Sequence, residues 1–240
     1  MRVQSPDQKP GGHENTDFQN PAERPPGGFV FQEAETRALK DNGGVIYPIS
    51  GTTLLSQIVL ARNQNFRIHS PFVYQHRYPW LRTEVAIFPD EEAFFVPRSE
   101  RKSTYQEKVD AMKKDEKRLK QKLGVNGFSL IAPQVDNVVE VVLKHQEETG
   151  QRLLGDEGER EDVGETVTAT DCLPIYSTIP HRIIVGPNLG ENLGLQIDAA
   201  QEGSIGSVGL MRFIVPSTAA AMWQGKGYKQ YIDATSQTGK

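Results

Sequence analysis

The chain has 240 residues, of which 37% are hydrophobic and 24% are charged, and its formal net charge at pH 7 is −4. This composition is sufficient to bury a core, and the length suits one large domain or two small ones. The negative charge argues against a protein that coats nucleic acid or an anionic membrane by bulk electrostatics, although it still allows a local basic patch. We favour a single domain.

The single cysteine, Cys172, excludes an internal disulfide and a cysteine-rich zinc module. No stretch approaches the roughly 18 to 20 apolar residues that span a bilayer. Residues 1–12 also lack the apolar stretch of a signal peptide. We therefore expect a soluble, cytoplasmic protein with no membrane partner, and the absence of a cofactor-binding motif predicts no cofactor.

Three segments differ in composition along the chain. Residues 1–44 are rich in proline, glycine, glutamine and asparagine and are predicted to form a disordered tail, with a short apolar patch at 29–31. Residues 45–228 are predicted to form one α+β domain, with a possible internal boundary in the acidic segment 155–165. Residues 229–240 are predicted to be a mobile tail.

Two elements are predicted near the start of the domain. Apolar residues at helical spacing make a broad face over 50–63, which predicts a core helix. Residues 66–80 carry several aromatic and basic side chains, and Pro71 and Pro79 forbid a regular helix there. We interpret 66–80 as an aromatic-rich loop.

A hairpin and a long helix are predicted next. Residues 84–88 and 93–96 are β-branched and aromatic around a turn-forming stretch, which favours a β-hairpin. Ser103 and Gln106 have the spacing of a capping box, and Gly124 is a typical helix stop. The sequence therefore predicts a helix that ends before Gly124.

A buried strand over 128–132 and a valine-rich segment over 138–148 follow. The valine-rich segment is ambiguous between helix and strand. We favour a helix because Asp136 can cap it and because Glu140 and Lys144 have the i,i+4 spacing of a helical ion pair.

The second half of the chain is predicted to be rich in strands. These are residues 173–176, 182–185, 194–197 and 208–215. Ser217 then predicts a short capped helix through Trp223. For the whole domain we expect three or four helices on mostly antiparallel sheet.

The helix over 98–122 carries ten Lys or Arg residues against five Asp or Glu residues. Together with the aromatic loop, it has the combination of backbone charge and stacking side chains that single-stranded nucleic-acid binders use. The candidate binding residues are Arg67, Tyr74, Arg77, Lys113, Lys117 and Lys120. The alternative is a solvated helix with internal ion pairs, which requires no ligand.

The segment 147–165 has eight carboxylates against Arg152 and Arg160, nearly the opposite of the basic helix. The two segments can attract each other within one chain or guide self-association between two chains. An acidic solvated loop is the simpler interpretation.

Two groups of residues are candidates for a catalytic site. His69, His76 and Glu84 lie in one short window and are residue types that bind zinc, but their spacing matches no helical metal motif. Cys172 and His181 can pair as a nucleophile and base if neighbouring strands bring them together. For each set, ordinary structural roles are the alternative.

The sequence favours a non-catalytic interaction or assembly protein that binds a protein partner or itself. The absence of catalytic motifs, the long polar N-terminal segment and the opposed charged segments motivate this hypothesis. One alternative is a hydrolase with a His/Glu metal site or the Cys/His pair. A second alternative is a nucleic-acid binder through the basic helix.

Overall fold

The structure is a computed structural model that describes residues 28–63, 66–71, 82–89, 104–151, 153–154, 168–169, 181–187, 194–201 and 209–223. Several predictions fall outside these residues. They are the tail segments 1–27 and 229–240, most of the aromatic-rich loop, the strands over 93–96 and 173–176, and the internal boundary near 155–165. The single-domain assignment stays a prediction.

The described residues contain five helices and nine strands. The helices are α1 (Glu33–Asp41), α2 (Leu54–Asn63), α3 (Tyr105–Leu123), α4 (Val135–Thr149) and α5 (Ser217–Trp223). The strands are β1 (Val45–Ile49), β2 (Arg67–His69), β3 (Thr83–Ile87), β4 (Phe128–Ile131), β5 (Thr168–Ala169), β6 (His181–Pro187), β7 (Gly194–Gln201), β8 (Gly209–Leu210) and β9 (Phe213–Pro216). The predicted α+β class is confirmed, with one helix more than the expected maximum.

Two sheets organise these strands. The first sheet has the order β1-β3-β9-β4, and all its pairs are antiparallel. The second sheet has the order β2-β7-β6-β5-β8, in which β2 pairs with β7 and β5 pairs with β8 in parallel. The late strand β9 lies between β3 and β4, so the first sheet joins segments from both ends of the described chain.

Side chains alternate between the two faces of the first sheet, as the two-residue period of a strand requires. Ile46, Ala86 and Ile214 contribute to a core cluster with α1 and α3. Tyr47 and Val85 point to the opposite face, into a larger cluster that includes α2, α4, α5 and the inner face of the second sheet. The first sheet therefore has helices on both faces.

Helix α4 lies between the two sheets and contacts both β1 and β6. Every residue from Val135 to Leu143 is buried. Because a helix packed on both sides has no polar face, its valines lose the helical periodicity that a surface helix shows. This packing explains the ambiguity of the valine-rich segment and confirms the helical interpretation.

Three local predictions need correction. The segment over 33–41 is helix α1 rather than disordered tail, because Leu39 packs in the core and Glu35 is also buried. The segment over 67–69 is strand β2 rather than loop, because it pairs in parallel with β7. The capping box of α3 is formed by Thr104 and Glu107, one residue later than predicted.

The end of α3 agrees with the prediction. Gly124 adopts φ of 68°, a left-handed conformation that glycine reaches without steric cost, and its amide donates to the carbonyl of Lys120 at 2.9 Å. The chain can therefore turn directly from α3 into β4.

Candidate interaction site

Helix α2 has apolar residues on both its buried and its exposed sides. Leu54 and Ile58 are buried in the larger core cluster, where α2 packs against α4 and β2. Leu55, Val59 and Leu60 are 50%, 54% and 54% exposed. At 3.6 residues per turn Leu55 and Val59 lie about 40° apart around the helix, and Leu60 lies about 100° beyond Val59. The three side chains thus span about 140° of the exposed side of α2, which we call the α2 apolar face. Hydrophobic side chains grouped on one exposed helix face are typical of a contact surface.

Helix α2 is held firmly at its first turn. The Thr53 hydroxyl oxygen accepts from the Ser56 amide at 3.3 Å, which caps the helix. The Gln57 side-chain amide donates to the Asp136 carbonyl at 2.9 Å and so joins α2 to the first turn of α4. The α2 apolar face is therefore presented by a helix fixed to the core rather than by a loop.

Glu140 fixes the connection between β1 and α2. Its carboxylate accepts from the Ser50 amide at 2.6 Å, from the Ser50 hydroxyl at 2.7 Å and from the Gly51 amide at 3.2 Å. The Lys144 ammonium lies 3.7 Å from the same carboxylate and also donates to the Pro48 carbonyl. Because Glu140 already occupies these donors, this helix start is closed to an external anion at Ser50 and Gly51.

Asp136 does not serve as the predicted helix cap. The N-cap residue of α4 is Gln134, and its side chain makes no capping hydrogen bond. Asp136 lies one turn before Glu140 and is fully buried. Burial, with a smaller contribution from the charge of Glu140, raises the pKa of its carboxyl to about 8. Asp136 is therefore largely protonated at pH 7.

Tyr47 and His145 form a buried polar pair between β1 and α4. The Tyr47 hydroxyl lies 2.6 Å from Nδ1 of His145. Burial lowers the pKa of His145 and raises the pKa of Tyr47 to about 12, because each charged form loses its hydration. Both groups are neutral at pH 7, so the pair satisfies two core polar groups by a neutral hydrogen bond.

The surface of α3 is basic in its C-terminal half. The exposed cationic residues there are Lys113, Lys114, Lys117, Arg118 and Lys122, which define the α3 basic face. Lys113 lies 3.3 Å from Asp110, an exposed pair that contributes little to stability. Lys113 and Lys117 are thus exposed, as the nucleic-acid hypothesis requires.

The acidic residues of this half of α3 point toward the protein. Asp115 lies 2.9 Å from Arg212, and Glu116 accepts from the Leu130 amide at 2.8 Å. Lys120, the third predicted binding residue on the helix, lies 2.6 Å from Glu116 and is only 22% exposed. Its ammonium also sits over the Phe128 ring at 5.6 Å. Lys120 therefore packs mainly against the protein and is not a freely exposed surface cation.

The two residues of the predicted metal site that the structure describes lie in different sheets. His69 lies exposed on β2 in the second sheet, whereas Glu84 lies on β3 in the first sheet. The Glu84 carboxylate accepts from the Phe31 amide at 2.8 Å, which gives it a structural role. His76 lies outside the described residues. Among the residues that the structure describes, no group of three or more His, Cys, Asp or Glu side chains is arranged to hold a metal ion.

The other predicted site residues are only partly placed. Arg67 is exposed on β2, whereas Tyr74, Arg77 and Cys172 lie outside the described residues. His181 begins β6, and the position of its side chain is not described. The Cys/His pair and the stacking residues therefore stay predictions.

Sequence reasoning missed the α2 apolar face as a surface. The signal was present, because adjacent residues Leu54 and Leu55, and then Ile58 to Leu60, place apolar side chains around more of the helix than one buried face needs. The burial of Asp136 had no comparable signal, since an acidic residue in the first turn of a helix is usually exposed.

No protein-family model matches this chain, and no similar protein was found among curated proteins or solved structures. In the part of the chain that the structure describes, no helix is both long and apolar enough to cross a membrane.

Proposed function

We propose that this chain is a non-catalytic assembly protein that associates with a second copy of itself through the α2 apolar face. The observation that carries the proposal is the half-exposed state of Leu55, Val59 and Leu60 on a helix whose other side is fixed in the core. Exposed aliphatic side chains gain free energy when a partner removes them from water.

A second copy suits this surface because the surface is almost uncharged. Arg62 is the single charged residue of α2, whereas the chain as a whole has a formal net charge of −4. Two identical negative chains repel each other, so a face without carboxylates is where they approach at least cost. A two-fold axis places each apolar face against its own equivalent, which is complementary by construction.

The expected association is weak. Three half-exposed aliphatic side chains contribute roughly 1 kcal/mol each, or about 6 kcal/mol over two copies. Stable interfaces bury about 800 Å² per partner, and association costs at least about 4 kcal/mol of translational and rotational freedom. The apolar face alone therefore leaves a surplus of about 2 kcal/mol, or a Kd of roughly 30 mM. A reversible dimer with Kd of about 1 mM needs about 2 kcal/mol more, which we assign to adjacent surface that joins the contact.

The same proposal includes a reducing, cytoplasmic location, supported by the single cysteine. It includes no catalytic step. Of the residues suggested for a hydrolase, His69 and Glu84 lie in different sheets and Glu84 binds a backbone amide.

Sedimentation equilibrium between about 20 µM and 1 mM protein tests the proposal at concentrations up to the expected Kd, where a substantial fraction of the chain is dimeric. The unmodified chain is expected to gain mass with concentration and to keep that gain in 1 M NaCl, because apolar contacts are not screened by salt. Val59→Lys and Leu60→Lys place an ammonium in the contact and should each remove the gain.

Ala34→Lys is the matched control, since it adds the same charge at an exposed position of α1. This variant should associate like the unmodified chain. A chain that stays monomeric at 1 mM overturns the proposal, as does equal association of the Val59→Lys and Ala34→Lys variants. Association that disappears in 1 M NaCl would indicate the charged segments instead.

A further inference from the structure

We propose that the α3 basic face binds the phosphate backbone of single-stranded nucleic acid. This inference goes beyond self-association and uses a different layer of the molecule. Helix α3 packs on the face of the first sheet that belongs to the smaller core cluster, whereas α2 belongs to the larger cluster on the opposite face. The two surfaces can therefore be tested separately.

The first argument is the sign of the exposed charge. The α3 basic face presents Lys113, Lys114, Lys117, Arg118 and Lys122, and no exposed carboxylate accompanies them between residues 111 and 124. At the N-terminal end of this face the exposed Asp110 carboxylate lies 3.3 Å from Lys113. A chain with a formal net charge of −4 thus carries a local surface that is mostly positive. A polyanion gains free energy at such a surface by releasing its condensed counterions.

The second argument is that folding partly engages the neutralising acids with the rest of the protein. Asp115 and Glu116 are only 17% and 22% exposed, and they contact Arg212 and the Leu130 amide. Intrahelical pairing would have balanced much of the positive charge on an isolated helix. In the folded chain these carboxylates are shared: Asp115 contacts Arg118 at 3.6 Å as well as Arg212, and Glu116 contacts Lys120 as well as the Leu130 amide. Only part of their charge therefore neutralises the cations of α3.

The third argument is spacing. Lys113 and Lys117 form one row along the helix, and Lys114, Arg118 and Lys122 form a second row beside it. Successive members of each row are four residues apart, which is a rise of about 6 Å. Two regular rows of cations suit a linear chain of phosphates, which requires charge in sequence rather than a single deep pocket.

The same surface suits an anionic membrane less well. An amphipathic helix that binds a bilayer inserts an apolar face into the headgroup region. The apolar side of α3, which includes Tyr105, Ala111 and Met112, is buried against the first sheet. Only the charged side is available, and it carries no exposed large hydrophobic residue among the described positions.

Fluorescence anisotropy of a labelled 20-nucleotide oligothymidylate tests the inference over about 25 to 200 mM NaCl. Binding is expected to weaken steadily with salt, with log K falling by roughly 0.7 per neutralised phosphate for each tenfold rise in salt. The variant Lys114→Gln/Lys117→Gln/Lys122→Gln should reduce the slope of log K against the logarithm of the salt concentration by about 2. It should also weaken binding at least roughly tenfold at 25 mM salt.

Two controls isolate the position of the charge. Lys114→Arg/Lys117→Arg/Lys122→Arg keeps the charge and should preserve binding. Arg37→Gln/Lys40→Gln removes two exposed cations from α1 and should leave the salt dependence unchanged. Circular dichroism establishes that each variant is folded before binding is compared.

Three results would overturn the inference. The first is the absence of oligothymidylate binding at 25 mM NaCl. The second is an unchanged salt dependence in the triple glutamine variant. The third is equal competition by polyglutamate of the same charge, or equal binding to vesicles with anionic lipid, which would show charge attraction without preference for phosphate backbone.

Discussion

Burial in the first turn of α4 raises the pKa of Asp136 to about 8, whereas an exposed aspartate has its ordinary value of 3.8. Between these two values the folded chain holds a proton on Asp136 that the unfolded chain has released. The free energy of unfolding therefore falls as pH rises through this window, by up to about 1.4 kcal/mol per pH unit. At pH values below this window, Asp136 is protonated in both states and contributes no pH dependence.

We expect Asp136→Asn to remove this dependence, because asparagine is similar in shape and neutral at every pH. The variant should be more stable than the unmodified chain at both pH values, and this advantage should shrink by up to about 1.4 kcal/mol for each pH unit from pH 8 down to pH 5. Urea denaturation at pH 5, 6.5 and 8 measures the difference. Glu147→Gln, an exposed carboxyl change on the same helix, is the control and should leave the pH profile almost unchanged. A loss of stability in Asp136→Asn that is equal at pH 5 and pH 8 would contradict the assignment.

The sequence correctly predicted that Asp136 lies at the start of a helix, but the prediction that it caps the helix was wrong. Short-range spacing shows which turn a residue occupies, and it does not show what packs against that turn. The two sheets that enclose α4 come from segments far away along the chain, so the burial of Asp136 depends on contacts that no local pattern contains.

At the scale of single elements, the outer edge of β4 is covered by a side chain of α3. Among the strands of the described residues, β4 pairs only with β9, and on its other side the Leu130 amide donates to the Glu116 carboxylate at 2.8 Å. Unpaired strand edges promote aggregation, and natural proteins cover or charge them. Glu116 therefore protects the edge of the first sheet.

We expect Glu116→Ala to lower the free energy of unfolding by about 1 to 2 kcal/mol, because it leaves the Leu130 amide without its acceptor. Glu116→Gln keeps a carbonyl acceptor and should lose less. Chemical denaturation measures both effects, and thioflavin fluorescence at raised temperature should show faster aggregation of the alanine variant.

Asp110→Asn is the control for charge on the same helix. It affects an exposed pair with Lys113 and should cost less than about 0.5 kcal/mol. If Glu116→Ala and Asp110→Asn have the same small effect, the Glu116 contact with β4 does not stabilise the sheet.

The elements that the sequence predicted best are those whose ends are marked by particular residues. Gly124 ends α3 because its left-handed φ is a property of a single residue. The capping box was shifted by one residue because Ser103 with Gln106 and Thr104 with Glu107 both fit the pattern, and folding selects one of them. Helix α1 was missed because its stabilisation comes from a few residues, above all Leu39, that pack on a sheet formed later in the chain.

At the scale of the whole molecule, α4 lies at the centre. It contacts β1 of the first sheet, β6 of the second sheet and α2. A helix enclosed in this way cannot open to water unless much of the surrounding core also opens. Its hydrogen bonds should therefore report the global stability of the fold.

We expect the amides of 136–146 to exchange with deuterium most slowly of all the described helices. Amides of α2 and α3 should exchange faster, because each of these helices has one side in solvent and can fray locally. Hydrogen exchange followed by mass spectrometry on peptides from these helices measures the order. Exchange in α4 that is as fast as in α3 would show that α4 opens independently of the two sheets.

Strand β9 lies between β3 and β4, which means that the first sheet is continuous only when residues 213–216 are in place. During translation roughly 125 residues separate the emergence of β3 from that of β9, a delay of about 6 to 25 seconds at ordinary rates of synthesis. For roughly the last 80 residues of that interval, both β3 and β4 have been made and lack their shared neighbour. This chain should therefore complete its first sheet only after residues 213–216 have been made, and chains released before Phe213 should depend on chaperones or be degraded.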